Sequence, residues 1–497
     1  MVSLITYADR LAGNLAGLRS LLEGELRGLF GGVHILPFFT PIDGADAGFD
    51  PVDHLSVDQQ IGSWAEVTAI GATHAVMADL IVNHVSVDSK QFRDVMTHGE
   101  RSEFWPMFLR KESVFPENSS ACSQSEDLAR VYRPRPGSPF TAKVLDTGRS
   151  YEFWTTFSSS QLDIDVESEE GRHYLESILA RFADARISEL RLDAAGYAIK
   201  RRGTSCFMLP ETFDFIASLS ARAQSLGINT LVEIHSHYLV QCEIAARVGR
   251  VYDFALPPLV LHTLYNNDAS VLKHWLTIAP RNCVTVLDTH DGIGIVDVGR
   301  SGELEGLLSD AQIDRLVETI HEKTGGKSKL ASGHAASNLD IYQVNSTYYD
   351  AVGGSDMDYL IARAIQFFAP GTPQVYYVGL LVGKNDLDLV ERTGVGRDIN
   401  RHYYSAEELS ESLRRPVVQE LLAMIRLRNR LSVFAGDFSI LESFEHELIL
   451  QWADGDDYAR LSVNLLDRVA TIRYMNAGVS SQYEVGASLR EKTVESV

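Results

Sequence analysis

Three carboxylates stand where short apolar runs of the chain end. Asp193 lies in Glu-Leu-Arg-Leu-Asp-Ala-Ala, Glu233 in Leu-Val-Glu-Ile-His-Ser and Asp291 in Val-Leu-Asp-Thr-His-Asp-Gly. Such runs are typical of fully buried strands, whose ends hold side chains rigidly beside loops that leave room for a substrate. Two or three acids that converge there, without a cluster of metal ligands, indicate acid/base and nucleophilic chemistry on a glycosidic bond.

These acids need a scaffold, and the spacing of the apolar runs predicts one. Short apolar runs alternate with amphipathic segments, which is the pattern of repeated βα units. We predict eight strands, at 4–8, 32–39, 74–83, 189–194, 230–234, 251–256, 283–288 and 373–378. Helices with a period near 3.6 residues are predicted at 169–185, 210–225, 355–368 and 415–430. Eight such units favour an α/β fold of the closed (β/α)8 TIM-barrel type over an open sheet.

Two connections are too long for simple crossovers, and the chain after residue 430 changes character. We predict a catalytic barrel built from 1–84, 168–291 and 355–431. One inserted subdomain follows strand 3 at 85–167, and a second follows strand 7 at 292–354. Short alternating runs then predict a small antiparallel β domain at 432–497. Long loops within a compact enzyme are usually lids or binding loops.

Composition and charge exclude several classes of protein. The chain has 497 residues, of which 45% are hydrophobic and 23% charged, as in a globular protein with one large domain and smaller additions. The formal net charge of −22 argues against nucleic acid and anionic membranes as partners. Four scattered cysteines and no basic leader predict free thiols and a cytoplasmic protein.

Four segments of the sequence resemble the ordered motifs of the α-amylase superfamily, glycoside hydrolase family 13. They are Asp79-Leu-Ile-Val-Asn-His84, Arg191-Leu-Asp193, Glu233 and His290-Asp291, on predicted strands 3, 4, 5 and 7. A single Arg-Leu-Asp occurs widely by chance, but four motifs in order are specific. Nearly the whole chain is similar to the sucrose phosphorylase family, in stretches that include His34-Ile-Leu-Pro-Phe-Phe-Thr-Pro, Gly203-Thr-Ser-Cys-Phe-Met and Asn338-Leu-Asp-Ile-Tyr-Gln-Val-Asn.

The resemblance implies a retaining double displacement. Asp193 would be the nucleophile that forms a covalent β-glucosyl ester, Glu233 the acid/base, and Asp291 the stabiliser of the positive charge that develops on the sugar. Arg191 lies two residues before Asp193 on the same strand face, and it would hold that carboxylate ionised. The alternatives are a structural Arg–Asp pair, a solvated glutamate and a turn-forming aspartate.

The resemblance also implies a pocket for one glucosyl group. Asp46 and Arg397 would grip the distal hydroxyls, and Phe49 would offer a stacking face. A pocket closed at that end predicts action on a disaccharide rather than along a polymer. The further binding residues that the resemblance implies are His84, Phe157, Gln161 and His290.

A phosphate acceptor needs a focused positive site in so acidic a chain. Arg135 and His235 are the candidates, although ordinary solvated charge remains an alternative for Arg135. The residues expected to contact phosphate or fructose in addition are Leu339, Asp340, Tyr342 and Gln343. The resemblance implies that Asp340 moves away as Arg135 enters.

The implied activity is the reversible, retaining conversion of sucrose and phosphate to α-D-glucose 1-phosphate and D-fructose, by a monomer or homodimer without a cofactor. We expect no metal, although Asn83 matches a calcium-ligating position of many amylases, because no acidic calcium loop is evident nearby. The alternatives are phosphorolysis of sucrose 6′-phosphate, glucosylglycerol or glucosylglycerate, a hydrolase or isomerase on the same barrel, and a non-catalytic sugar-binding protein.

Overall fold

The structure is a computed structural model, and it describes residues 1–44, 46–115, 121–134, 137–331 and 343–489. Eight parallel strands form a closed barrel in which each strand pairs with its neighbours along the chain. They are β1 (Ser3–Thr6), β2 (Gly32–Ile35), β3 (Ala75–Ile81), β4 (Glu189–Asp193), β5 (Asn229–Val232), β6 (Arg250–Asp253), β7 (Cys283–Thr285) and β8 (Thr372–Tyr376). β8 pairs with both β7 and β1, which closes the barrel. The predicted (β/α)8 fold is confirmed.

The barrel interior is layered. Successive side chains of a strand point to opposite faces, so every second residue faces inward. A cluster of six buried apolar residues, separate from the main core, comes from four strands and the residues just after them: Met77, Leu231, Tyr252, Phe254, Val284 and Val286. With the same period, Asp79 and Glu233 stand two residues on from Met77 and Leu231, nearer the carboxyl end. On these two strands the sequence therefore places an apolar residue below a charged one.

The strands end earlier than the apolar runs predict. The run 32–39 forms a strand only to Ile35, and the run 283–288 only to Thr285. Residues beyond the ladder, such as Phe38 and Leu287, are still fully buried. They are apolar because loops fold over the carboxyl end of the barrel, and burial there does not require strand pairing.

Helices follow the barrel strands, and the four predicted ones are confirmed to within one residue at each end. They are Glu169–Asp184, Pro210–Ser225, Asp356–Phe368 and Pro416–Arg430. Capping accounts for this agreement, since Ser168 and Ser355 accept hydrogen bonds from the first turns of their helices and Pro210 begins its helix without losing a donor. The other helices of eight residues or more in the described ranges are Leu15–Glu23, Lys90–His98, Ala121–Arg130, Tyr238–Ala245, Leu256–Asn266, Ser270–Ile278, Asp310–Lys323 and Ala406–Arg414. The shorter α-helices there are Ala8–Ala12, Trp64–Ile70, Lys111–Val114, Lys327–Leu330, Tyr348–Ala351, Tyr377–Leu380 and Leu387–Thr393.

Three two-stranded antiparallel ladders tie the long loops to the carboxyl end of the barrel. Phe39–Thr40 pairs with Asp53–Val57 in the loop after β2. His84–Ser86 pairs with Gln161–Asp163, and Ile293–Gly294 pairs with Gln343–Val344. The second and third ladders bring together the two ends of the segments predicted as insertions, so His84, Gln161 and Gln343 are held by backbone hydrogen bonds. The division into domains stays a prediction.

The C-terminal region is a five-stranded antiparallel sheet, as predicted. Its strands are β9 (Asp437–Ile440), β10 (Glu447–Asp454), β11 (Asp457–Asn464), β12 (Val469–Asn476) and β13 (Val479–Glu484). Alternate residues of β10 are buried, and Trp452 donates from its indole nitrogen to the carbonyl of Phe368 at 2.8 Å. Within the described ranges, no helix combines the length and the apolar character that crossing a membrane requires.

Candidate active site

A cavity opens at the carboxyl end of the barrel. The predicted residues that line it are Asp46, Phe49, His84, Phe157, Asp193, Glu233, His235, His290, Asp291, Gln343 and Arg397. Ala194, Gly196, Tyr197, Phe207 and Ile234 complete the lining. All three carboxylates with which the sequence analysis began therefore face one cavity.

Arg191 joins two of these acids from behind. Its Nη1 donates to Asp193 Oδ1 at 2.8 Å and to Asp79 Oδ1 at 2.5 Å, and its Nη2 lies 3.5 Å from Glu233 Oε1. Asp79 is also 2.9 Å from Nε2 of His34. One fully buried guanidinium thus holds three carboxylates at fixed positions.

More acidic than basic groups surround Arg191, and the pKa values of Asp193 and Asp79 are shifted in opposite directions. Burial raises the pKa of Asp193 well above its usual range; Arg191 opposes this, and Glu233 and Asp79 add to it. Burial would also raise the pKa of Asp79, but His34 and Arg191 outweigh it and hold the pKa at about 2. Asp79 is therefore a fixed negative charge, whereas Asp193 is held in a state of high energy when ionised.

The chain turns sharply after Asp193. Ala194 has φ 54°, in the left-handed region that costs an L-residue roughly 1–2 kcal/mol. The turn carries Gly196, where a Cβ would lie 2.7 Å from the ring of Phe207. The rings of Tyr197 and Phe207 lie 4.7 Å apart and form an aromatic wall. This wall was not predicted from the sequence, although Phe207 lies in one of the segments that carry the resemblance.

Asp291 is surrounded by positive groups. Nη1 of Arg397 lies 2.7 Å from its Oδ1, and Nη2 of Arg401 lies 3.8 Å from the same atom. Burial would raise the pKa of Asp291, but Arg397 first and then Arg401 hold it well below its usual range. Asp291 is thus a permanent carboxylate, suited to a developing positive charge on a sugar.

The other residues predicted to hold the glucosyl group pack against one another. The rings of Phe49 and His290 stack at 4.8 Å, and burial lowers the pKa of His290 well below its usual range, so this imidazole is neutral. His84 Nε2 lies 2.9 Å from the carbonyl oxygen of Phe49. Gln161 Nε2 lies 3.2 Å from that same His84 atom, among buried residues behind the lining rather than in it. Arg191 likewise supports the cavity from behind.

On the opposite side, His235 and Gln343 face the cavity together. Nε2 of His235 is 3.1 Å from Nε2 of Gln343 and 3.6 Å from Glu233 Oε1. The Gln343 side-chain oxygen accepts from the backbone of Gly292 at 3.2 Å. The other residues predicted for this side, Arg135, Leu339, Asp340 and Tyr342, lie outside the described residues.

Two places in this region have the chemistry of cation sites. Ligand atoms of Glu233, His235 and Asp291 lie within 4.8 Å of one another. Arg191 and Arg397 contact the two carboxylates of that group, and their positive charge opposes a metal ion.

The second place is the position where the resemblance suggested calcium. There the ammonium of Lys200 donates to Asn83 Oδ1 at 3.0 Å and lies 2.9 Å from Asp163 Oδ2. It also donates to the carbonyl of Tyr197. A lysine of the chain itself therefore supplies the positive charge at Asn83.

Comparisons with known proteins agree with this geometry. Residues 8–238 match the family described as "Alpha amylase, catalytic domain". The chain is 55% identical to a sucrose phosphorylase of Agrobacterium vitis, covering 95% of this chain and 96% of that protein. It is 51% identical to a sucrose phosphorylase of Bifidobacterium adolescentis, covering 93% and 91%. The crystal structure of a sucrose 6F-phosphate phosphorylase from Thermoanaerobacter thermosaccharolyticum matches with a TM-score of 0.89 and 37% identity, covering 97% of this chain and 98% of that one.

Proposed function

This chain belongs to the sucrose phosphorylase family of the α-amylase superfamily, and we propose that it converts sucrose and phosphate reversibly into α-D-glucose 1-phosphate and D-fructose. One observation carries the proposal: a relative that is 55% identical over nearly the whole chain is a sucrose phosphorylase. The three acids Asp193, Glu233 and Asp291 around one cavity support it.

In the first step, the proposed nucleophile is Asp193. Its carboxylate attacks the anomeric carbon of the glucosyl group, while Glu233 gives its proton to the fructosyl oxygen and the glycosidic bond breaks. The product is a β-glucosyl ester and free fructose. Asp291, held ionised by Arg397 and Arg401, stabilises the positive charge at the sugar ring. Arg191 lowers the cost of ionising Asp193 before attack.

In the second step, a phosphate oxygen attacks the same carbon and the ester bond to Asp193 breaks. The proton of the phosphate passes to Glu233, which returns to its acid form, and two inversions give net retention. We propose that Asp46, Phe49, His84, Phe157, His290 and Arg397 hold the glucosyl group, with Gln161 behind them. Arg135, His235, Leu339, Asp340, Tyr342 and Gln343 are the proposed acceptor-side residues.

The second candidate is phosphorolysis of a related α-glucoside. The structural similarity to a sucrose 6F-phosphate phosphorylase, with a TM-score of 0.89, favours this alternative. That protein is 37% identical to this chain, whereas the two sucrose phosphorylases are 55% and 51% identical to it. We therefore propose sucrose as the substrate.

A substrate panel tests the function. Purified protein is incubated with phosphate and, separately, sucrose, sucrose 6′-phosphate, glucosylglycerol and glucosylglycerate, and products are identified by phosphorus and proton NMR. We expect α-glucose 1-phosphate from sucrose at the highest kcat/KM. A higher kcat/KM for another donor selects the second candidate, and free glucose without glucose 1-phosphate identifies a hydrolase and contradicts both.

Three wider features complete the proposal. The barrel of 1–84, 168–291 and 355–431 carries the acids, the segments 85–167 and 292–354 form subdomains around the cavity, and 432–497 is a separate β domain. The protein works without a cofactor as a monomer or homodimer. Cys206, Cys242 and Cys283 form no disulfide, which supports a cytoplasmic location.

A further inference from the structure

The lining of the cavity is rich in acidic groups, which repel phosphate. Among the described lining residues, four are carboxylic acids: Asp46, Asp193, Glu233 and Asp291. The one arginine of that described lining, Arg397, contacts Asp291 at 2.7 Å. An anion that enters beside Glu233 therefore needs another positive group. His235 is the titratable base of this lining that lies nearest to Glu233, at 3.6 Å.

His235 is fixed on three sides. Its ring stacks on Phe254 with centroids 3.9 Å apart and an interplanar angle of 16°. Nδ1 lies 3.2 Å from Asp297 Oδ2, on the side away from the cavity. Nε2 meets the amide of Gln343. A histidine held in this way presents one defined nitrogen to the substrate.

Asp297 is a buried carboxylate whose two oxygens have different partners. Its side chain is 0% exposed. Its Oδ1 accepts from Gln241 Nε2 at 2.7 Å and from the backbone N–H of Ser236 at 3.2 Å, which leaves Oδ2 for His235. A buried carboxylate held by several donors is a strong partner for an imidazolium.

Gly294 makes room for this pair. A Cβ at position 294 would lie 2.3 Å from Asp297 Oδ2 and 3.4 Å from His235 Nδ1. Gly294 pairs with Gln343 in the ladder at the base of the second long loop. The same ladder therefore positions both partners of His235, the carboxylate behind it and the amide beside it.

We propose that Asp297 is a positioning residue, which holds His235 with Nδ1 turned away from the cavity and stabilises its protonated form as the cation that receives phosphate. The proposal rests on the proposed function and deepens it. Besides Asp297, the charged groups within the described ranges that act on His235 are Glu233 on its own segment and Asp291 after β7, both acidic, while Phe254 after β6 is apolar. Burial lowers the pKa of His235, but these acids, Asp297 first, outweigh it and raise the pKa above its ordinary value.

The amide of Gln343 fits the neutral ring as the structure has it. Its oxygen accepts from the backbone N–H of Gly292 at 3.2 Å, so its nitrogen faces Nε2 of His235 at 3.1 Å and donates to it. A proton gained at Nε2 when phosphate binds therefore requires a phosphate oxygen to replace Gln343 as the partner of that nitrogen.

The direct test measures the ring itself. In protein with labelled histidine rings, the His235 signal is identified by its loss in His235→Gln, and its titration is followed by NMR without any substrate. We expect the midpoint to lie above about 6.5 in the native protein and to fall by at least about one pH unit in Asp297→Asn. A native midpoint below that value, or an unchanged midpoint in the variant, overturns the proposal.

The kinetic test separates phosphate capture from the first step. In Asp297→Asn at pH 7.5 we expect the KM for phosphate to rise at least about tenfold, while the burst of fructose release without phosphate stays within about threefold. The loss shrinks at lower pH, where the imidazole protonates without Asp297. Equal loss in both steps identifies a general structural role and contradicts the proposal.

Two further variants complete the design. In a His235→Gln background, Asp297→Asn is expected to change the KM for phosphate no further, because the two residues act as one unit. Asp58→Asn is the matched control: Asp58 is another buried aspartate, accepts from the backbone N–H groups of Ile42 at 3.0 Å and Gln60 at 2.8 Å, and lies outside the cavity lining. If the native protein makes no glucose 1-phosphate from any donor, the proposed function fails, while the NMR titration still decides the role of Asp297.

Discussion

Two buried arginines of the barrel region differ in the number of acidic side chains that surround them. Arg191, on β4, is surrounded by Asp79, Asp193 and Glu233 at 2.5–3.5 Å. Arg363, on the helix Asp356–Phe368, makes a two-pronged contact with Asp288 alone, at 2.7 and 2.8 Å. Both guanidinium groups are almost completely buried. One therefore faces three acids and the other faces one.

The neutral partners differ as well. Arg363 also donates to the hydroxyl of Tyr359 and to the side-chain oxygen of Gln366, each at 2.9 Å. Its charge is matched and its donors are satisfied, which is the condition under which a buried ion pair is stable. Around Arg191, the formal charge is negative by two when all three acids are ionised and by one when Glu233 carries its proton, and two of the acids face the cavity. The cluster at Arg363 therefore has the charge balance of a structural ion pair, whereas the cluster at Arg191 keeps Asp193 at high energy when ionised.

The largest effect is expected when the acidic excess is removed at the proposed nucleophile. Asp193→Asn should lower kcat by about 10⁴-fold or more, because an amide cannot form the glucosyl ester. The same change relieves repulsion, so the melting temperature should stay the same or rise. Turnover and thermal unfolding of the variant test both statements, and substantial remaining turnover contradicts the assignment.

The balanced cluster should respond in the reverse way. Asp288→Asn leaves Arg363 as an uncompensated buried charge, and we expect a loss of about 3–5 kcal/mol in the free energy of unfolding, measured by urea denaturation. Glu23→Gln is the matched control, since the Arg19–Glu23 pair is about half exposed and such pairs contribute about 0.5 kcal/mol or less. A similar loss in Asp288→Asn and Asp193→Asn would remove the distinction between the clusters.

The smallest effect is a dependence on pH. The folded protein raises the pKa of Asp193 above its unfolded value of about 3.8, so the stability this carboxyl contributes is complete below about pH 4 and is lost as the pH rises through the folded value. Asn cannot titrate. The stability of Asp193→Asn relative to the native protein should therefore increase from pH 4 to pH 8 in urea midpoints. A constant difference would contradict the charge excess.

The pKa of Asp79, in the same cluster, is shifted in the opposite direction to that of Asp193. Its pKa of about 2 lies below the unfolded value, so its contribution is present above about pH 4 and is lost as the pH falls towards 2. Two carboxyl groups that contact the same arginine thus make contributions to protein stability that change in opposite directions with pH. The difference follows from His34, which lies 2.9 Å from Asp79 and lowers its pKa together with Arg191.

Much of the fold could be predicted from the sequence. Burial and helix caps leave a direct signal in residue types, so the eight strands and the ends of helices such as Pro210–Ser225 were predicted correctly. The ends of the strands were not, because Phe38 and Leu287 are as buried in loops as in a ladder. Asp297 and Phe254 were missed for a related reason: neither lies in a motif, and their importance depends on contact with His235.

The sequence by itself determined which side chains could do chemistry and on which strands they stand. Its period of two placed Arg191 and Asp193 on one face, and the order of the motifs placed the acids at one end of a barrel. Only the tertiary structure decided their charge balance. That balance depends on distances between groups far apart in the chain, such as Asp79 to Arg191, Arg397 to Asp291 and Asp297 to His235, and electrostatic energy in a buried site changes steeply over those few ångströms.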